Sequence, residues 1–117
     1  MEKGLEIIIG MKRDPAFGPV VSFGLGGIFV EAMRDVALRV APVSDIQARA
    51  MMDEIKGASL LRGARGQRPV DAKALMKLVT AISRFALDHP EVQAVDLNPV
   101  MANEKGATVV DMRVVDA

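Results

Sequence analysis

The last stretch of the chain, Glu91 to Asp116, alternates apolar and polar residues with a period of two, the pattern of half-buried strands. It divides at Asn103-Glu104-Lys105-Gly106, a turn in which Gly106 supplies the positive φ that a tight hairpin needs. Pairing Ala102 with Ala107 sets Asn98 opposite Asp111 and Asp96 opposite Arg113. The period then gathers Asp96, Asn98, Asp111 and Arg113 on one face. Val95, Leu97, Val110, Met112 and Val114 fall on the other, where they can lie on a core. Pro99 has no N–H for the ladder and is expected to break or bend the strand beside the polar group.

Earlier segments follow the same period. Leu5 to Met11, with three isoleucines in a row, is β-rich. Lys12 to Pro19 holds two prolines and a glycine and reads as a loop, and Val20 to Phe23 as the returning strand. After Gly24-Leu25-Gly26-Gly27, the segments Ile28 to Met33 and Val36 to Val40 read as two further strands around Arg34-Asp35, an antiparallel meander.

The period changes near Ser44. Ser44-x-x-Gln47 is a capping-box signature, and Ala48, Met51, Met52 and Ile55 share a helical stripe that ends before Gly57. Asp71 can cap a longer helix with Leu75, Leu78, Val79, Ile82, Phe85 and Ala86 on its apolar face, stopped by Pro90. Between them, Leu60 to Pro69 is a loop carrying Arg62, Arg65 and Arg68. The order defines an α+β fold: an antiparallel sheet of about five strands, covered on one face by helices over 45–56 and 71–88.

Composition narrows the partners. A chain of 117 residues is one domain, or part of one, with a modest core. Fifteen Lys and Arg balance fifteen Asp and Glu, so no global field recruits nucleic acid or an anionic membrane. Without Tyr or Trp the chain lacks the usual base-stacking platforms. The absence of Cys excludes disulfides, zinc thiolates and cysteine nucleophiles, and fits a reducing cytoplasm. The longest uncharged run, Pro15 to Val30, is too short and too broken by glycine and proline to span a bilayer. Half the residues are hydrophobic and eight are Met, so some apolar surface could serve assembly, including homo-oligomers.

Asp96, Asn98 and Asp111 offer two carboxylates and an amide oxygen in one cross-strand patch. Such hard donors suit Mg²⁺, usually with nucleotide phosphates completing its octahedron. The same residues also fit a plain hairpin with one wet face and an ordinary Asp–Arg pair across it. Gly24-Leu25-Gly26-Gly27 could present N–H groups to phosphate, but lacks the Gly-Lys-Ser/Thr of a P-loop and a following helix, and reads better as a tight turn. Glu31 reads as a surface charge. The arginine loop could hold an anion or be solvated, and His89 sits where a helix C-terminus favours a cation.

Taken together, Glu6-Ile-Ile-Ile-Gly10, Asp14-Pro-Ala-Phe-Gly-Pro19, Gly24-Leu-Gly-Gly27 through Glu31, and Leu38-Arg-Val-Ala-Pro42 resemble a known family, as do Ile55-Lys-Gly57, Leu60-Leu61…Arg65-Gly66…Pro69-Val-Asp71, and Asp96-Leu-Asn-Pro99 with Asp111. That family is the later part of the ATP-grasp module of ADP-forming acyl-CoA synthetases, and the match covers almost the whole chain in order. The resemblance implies exchange of acyl-CoA, phosphate and ADP for acid, CoA and ATP through a phosphohistidine. By analogy Asn98 and Asp111 hold Mg²⁺ under the phosphates of ATP or ADP, and Asp96 lies beside the transferring phosphoryl group. Glu6, Gly26 and Gly27 are expected to approach the nucleotide pocket or the phosphohistidine.

The resemblance also implies partners. An ATP-grasp fold needs an earlier lobe carrying phosphate-holding lysines, which 1–117 does not include, and CoA-binding and phosphohistidine domains; His89 lies on the wrong element for the latter. The chain is therefore expected to be the second part of the module and inactive alone. Two rival readings are a non-ligating synthetase-like region of a protein lysine acetyltransferase and a structural module assembling through its Met-rich face.

Overall fold

The structure is a computed structural model that describes residues 4–26, 35–63, 66 and 68–116. Gly27, Glu31, Arg65 and the expected strand Ile28 to Met33 lie outside them. The elements are β1 (Leu5–Asp14), β2 (Gly18–Leu25), β3 (Val36–Val40), α1 (Asp45–Glu54), α2 (Ala58–Leu61), α3 (Ala72–Asp88), β4 (Val92–Asn103), β5 (Gly106–Val109) and β6 (Met112–Asp116). The sheet is antiparallel with strand order β3-β2-β1-β4-β5, and β6 continues the outer edge against β4. Among the described residues it has six strands, one more than the five expected, with the outer strand of the hairpin split at Val110-Asp111.

The two helices that the pattern predicts form as their ends dictate. The Ser44 hydroxyl accepts from Gln47 N–H at 3.1 Å, and the Gln47 side chain returns the bond to Ser44 N–H. Asp71 caps α3 by accepting from Ala74 N–H, while its own N–H donates to the Asn103 carbonyl and ties the helix start to the hairpin turn. Both helices lie on one sheet face: α1 over β2 and β3, α3 over β1, β2, β4 and β5. Met51, Leu75 and Val79 meet Ile7, Ile9, Val21, Phe23 and Val100 there, all fully buried. Each such side chain contributes about 1.5–3 kcal/mol relative to exposure.

Three expectations are corrected. Lys12 to Pro19 is mostly strand, and the loop shrinks to Pro15, Ala16 and Phe17. Asp14 closes this turn by accepting from Ala16 and Phe17 N–H, and Gly18 takes φ 83°. Val110, Met112 and Val114 do not lie on the core, with exposures of 50%, 59% and 43%; they sit on the sheet edge, beyond the helices. The first two residues of the arginine loop, Leu60 and Leu61, end a short helix, α2, and its described arginines pair with carboxylates of other elements: Arg62 with Asp53 and Arg68 with Glu104.

Candidate functional site

The sheet face away from the helices is open, and the strand pairing sets its layout. One row runs Leu38, Ser22, Gly10, Asp96, Arg113 across β3, β2, β1, β4 and β6. On one side of it lies the row Val40, Val20, Lys12, Ala94, Val115. On the other side, Gly24 pairs with Ile8, followed by Asn98 and Asp111. Glu6 stands one row further, opposite Met101.

The hairpin register is the one that pairing Ala102 with Ala107 dictates, and Asp96 meets Arg113. Asn98 donates its backbone N–H to the Asp111 carbonyl at 3.1 Å. Asn103 and Gly106 pair as well, leaving Glu104-Lys105 as the loop. The strand does bend at Pro99: between Ile7 and Ile9 the β1–β4 register shifts by one residue, a bulge that sets Asn98 and Pro99 together against Ile8.

Asp96, Asn98 and Asp111 are all exposed on this face. Direct cross-strand neighbours lie about 5 Å apart and diagonal ones about 7–8 Å, within the span of one metal–phosphate group. Met112 N–H donates to Asp111 Oδ1 at 2.9 Å, which orients the carboxylate and leaves Oδ2 free of that bond. Among the described residues no group of three or more His, Cys, Asp or Glu is placed to hold a metal by itself. The donor set therefore fits a hard cation that brings phosphate and water ligands of its own, as Mg²⁺ does.

Gly10 lies beside Asp96, where an added Cβ would stand 3.0 Å from the Val95 carbonyl and 3.2 Å from Ser22 Oγ. Gly26 donates its N–H to the Glu6 carbonyl at 2.7 Å, so these two expected residues do lie together. They are a row or more from Asp96 and form the far margin of the patch. A cavity of about 990 Å³ opens on the other flank, polar at Lys12, Asp14, Ser22 and Asp96 and apolar at Phe17, Val20, Leu38 and Val40.

Two residues that the pattern did not single out hold this face in place. Arg13 donates to the carbonyls of Val92 and Ala86, both at 2.6 Å, and of His89 at 2.8 Å, clamping the end of α3 to the start of β4. Buried Asp35 accepts from Lys56 and Gly57 N–H, locking the start of β3 to the turn after α1. Neither has a local sequence signal, since their partners lie far along the chain. His89 is structural: its N–H donates to the Phe85 carbonyl, and its ring lies 4.5 Å from that of Phe85. Glu91, hydrogen-bonded to its own backbone and to His89, is held below the ordinary carboxylate range.

The fold agrees with what the chain is similar to. The ATP-grasp domain family matches residues 1–115, and the chain belongs to that family. The ADP-forming acetate–CoA ligase I of Archaeoglobus fulgidus is 48% identical over 115 residues, 98% of this chain and 17% of the relative. The β subunit of ADP-forming acetate–CoA ligase I of Pyrococcus furiosus is 48% identical over 112 residues, 96% of this chain and 48% of that subunit. Among solved structures, the "dinucleotide forming" acetyl-coenzyme A synthetase 1 of Ca. Korarchaeum cryptofilum, in complex with coenzyme A and Mg-AMPPCP, is 47% identical with a TM-score of 0.96 over 100% of this chain and 55% of its own. The chain thus spans about half the β subunit it matches, and far less of the longer relative. These relatives are ligases; they lend no support to the acetyltransferase or purely structural readings. Among the described residues no helix is long and apolar enough to cross a membrane.

Proposed function

We propose that this chain forms the metal- and phosphate-facing half of the ATP-grasp site of an ADP-forming acyl-CoA ligase working in the cytoplasm. The supporting observation is the register that sets Asp96, Asn98 and Asp111 on one exposed face, opposite the helices. The preceding ATP-grasp lobe and the CoA-binding and phosphohistidine parts would come from the rest of the protein or from other subunits. In this reading Asn98 and Asp111 hold Mg²⁺, which when bound neutralises phosphate charge and lowers the barrier to phosphoryl transfer. Asp96 faces the transferred phosphoryl group and orients the residue that gives or takes it. Glu6, Gly26 and Gly27 border the nucleotide, and the apolar flank of the cavity offers a surface to the nucleoside or to the lobe that closes over it.

Titration calorimetry with Mg-ADP tests this on the chain itself. Weak binding is expected, reduced about tenfold by Asn98→Ala or Asp111→Ala, the loss of one charge-assisted or metal contact. No binding, or binding by both variants equal to that of the parent, contradicts the assignment. Alone, the chain is expected to ligate no acid, because the phosphate-holding lysines of the other lobe are missing from it; ADP-dependent acyl-CoA cleavage by these 117 residues would contradict that.

A further inference from the structure

We propose that Lys12 and Arg113, reaching from either side of Asp96, form an anion subsite for the phosphate oxygens of the nucleotide; the assignment rests on the nucleotide reading above and adds residues to it. Arg113 is the direct partner of Asp96 across β4 and β6. Lys12 is the partner of Ala94 across β1 and β4, two residues further along the same open face. Both are exposed. Arg39, Arg49, Arg62 and Arg68 each lie within ion-pair distance of a carboxylate. Among the described residues Arg113 and Lys12 have no such partner, although a carboxylate stands directly opposite one and diagonally beside the other.

The charge balance asks for such cations. Among the described residues Glu6, Asp14, Asp96 and Asp111 put four negative charges on this face. A magnesium–nucleotide complex is itself anionic, so the metal ligands alone would repel it at the phosphates they must hold. A planar guanidinium binds two phosphate oxygens at once, and an ammonium adds a movable point charge. The two Cα atoms are about 12 Å apart, two strand spacings across and two residues along. Side chains of this length close on one phosphate over Ala94, whose methyl group leaves the space between them open.

The test uses metal-free tripolyphosphate, which carries the anion without nucleoside or cation. Its addition is expected to shift the Arg113 Nε–Hε resonance in ¹H–¹⁵N spectra. Arg113→Gln and Lys12→Gln should each weaken its binding about fivefold or more, Arg113→Lys should recover part of the loss, and Arg84→Gln on the exposed side of α3 should change nothing. Mn²⁺ affinity, read by electron paramagnetic resonance, should not fall in Arg113→Gln. Thermal melts of the exposed variants should match the parent. Equal binding in the parent, Arg113→Gln and Lys12→Gln overturns the subsite, as does an equal loss in Arg84→Gln. Tripolyphosphate bound through Arg113 and Lys12 without any Mg-ADP binding would keep the subsite and discard the nucleotide reading. Mg-ADP binding that ignores both variants would do the reverse.

Discussion

Asn98 and Asp111 are exposed, yet the site reading depends on them, so ligand binding and stability should separate at these positions. Asn98→Ala and Asp111→Ala are expected to leave the chemical-denaturation midpoint almost unmoved, within about 0.5 kcal/mol, while weakening Mg-ADP. Residues that carry the frame should do the opposite. At Gly57 an added Cβ would lie 2.2 Å from Leu25 Cδ1 and 3.3 Å from Asp35 Oδ2. Leu25 is only 2% exposed and has nowhere to go, so Gly57→Ala should cost about 1–3 kcal/mol. Asp35→Ala orphans the Lys56 and Gly57 N–H groups and should cost about 2–4 kcal/mol. Urea unfolding of both checks this; unchanged midpoints would mean that the β3–α1 junction is not held as described.

At the scale of elements, what the sequence shows is what local chemistry decides. The Ser44–Gln47 box, the Asp71 cap and the turn before Gly106 each involve residues within a few positions, and the structure has all three. The site patch was legible for the same reason, since one turn sets the register of its four residues. Long-range partners decide the rest. Lys12-Arg13-Asp14 looks like loop by composition, and stays in β1 because Arg13 finds three carbonyls at the end of α3 and the start of β4. Arg13→Met should therefore cost about 2–4 kcal/mol through three unpaired carbonyls, and speed amide exchange near Val92. Period two placed Met112 and Val114 on the right face, but could not say that the helices end short of that edge. Across the β3–α1 junction Arg39 donates to Glu54 and holds its pKa below 4.5. The contribution is then full above about pH 4.5 and lost as acid protonates Glu54 below it. Arg39→Met should flatten the acid limb of a melting curve below about pH 4.5.

At the scale of the whole molecule, one sheet divides two tasks. Its helix face carries the core, and its open face carries Glu6, Lys12, Asp14, Asp96, Asn98, Asp111 and Arg113, with a cavity of about 990 Å³ on the flank of Lys12, Asp14 and Asp96. Such a face is, in the proposed function, what a nucleotide would meet between this chain and the lobe that completes the site. In the proposed function Asp96, Asn98 and Asp111 meet a metal-bound nucleotide there. The most direct measurement is paramagnetic broadening of backbone amides on adding Mn-ADP, since Mn²⁺ takes the same oxygen donors as Mg²⁺. Signals of 96–98 and 111–113 should fade first and those of α1 and α3 persist, and Asp111→Ala should require more Mn-ADP for the same effect. Broadening centred on the helices, or on the 62–68 loop, with the β4–β6 signals intact would contradict the account.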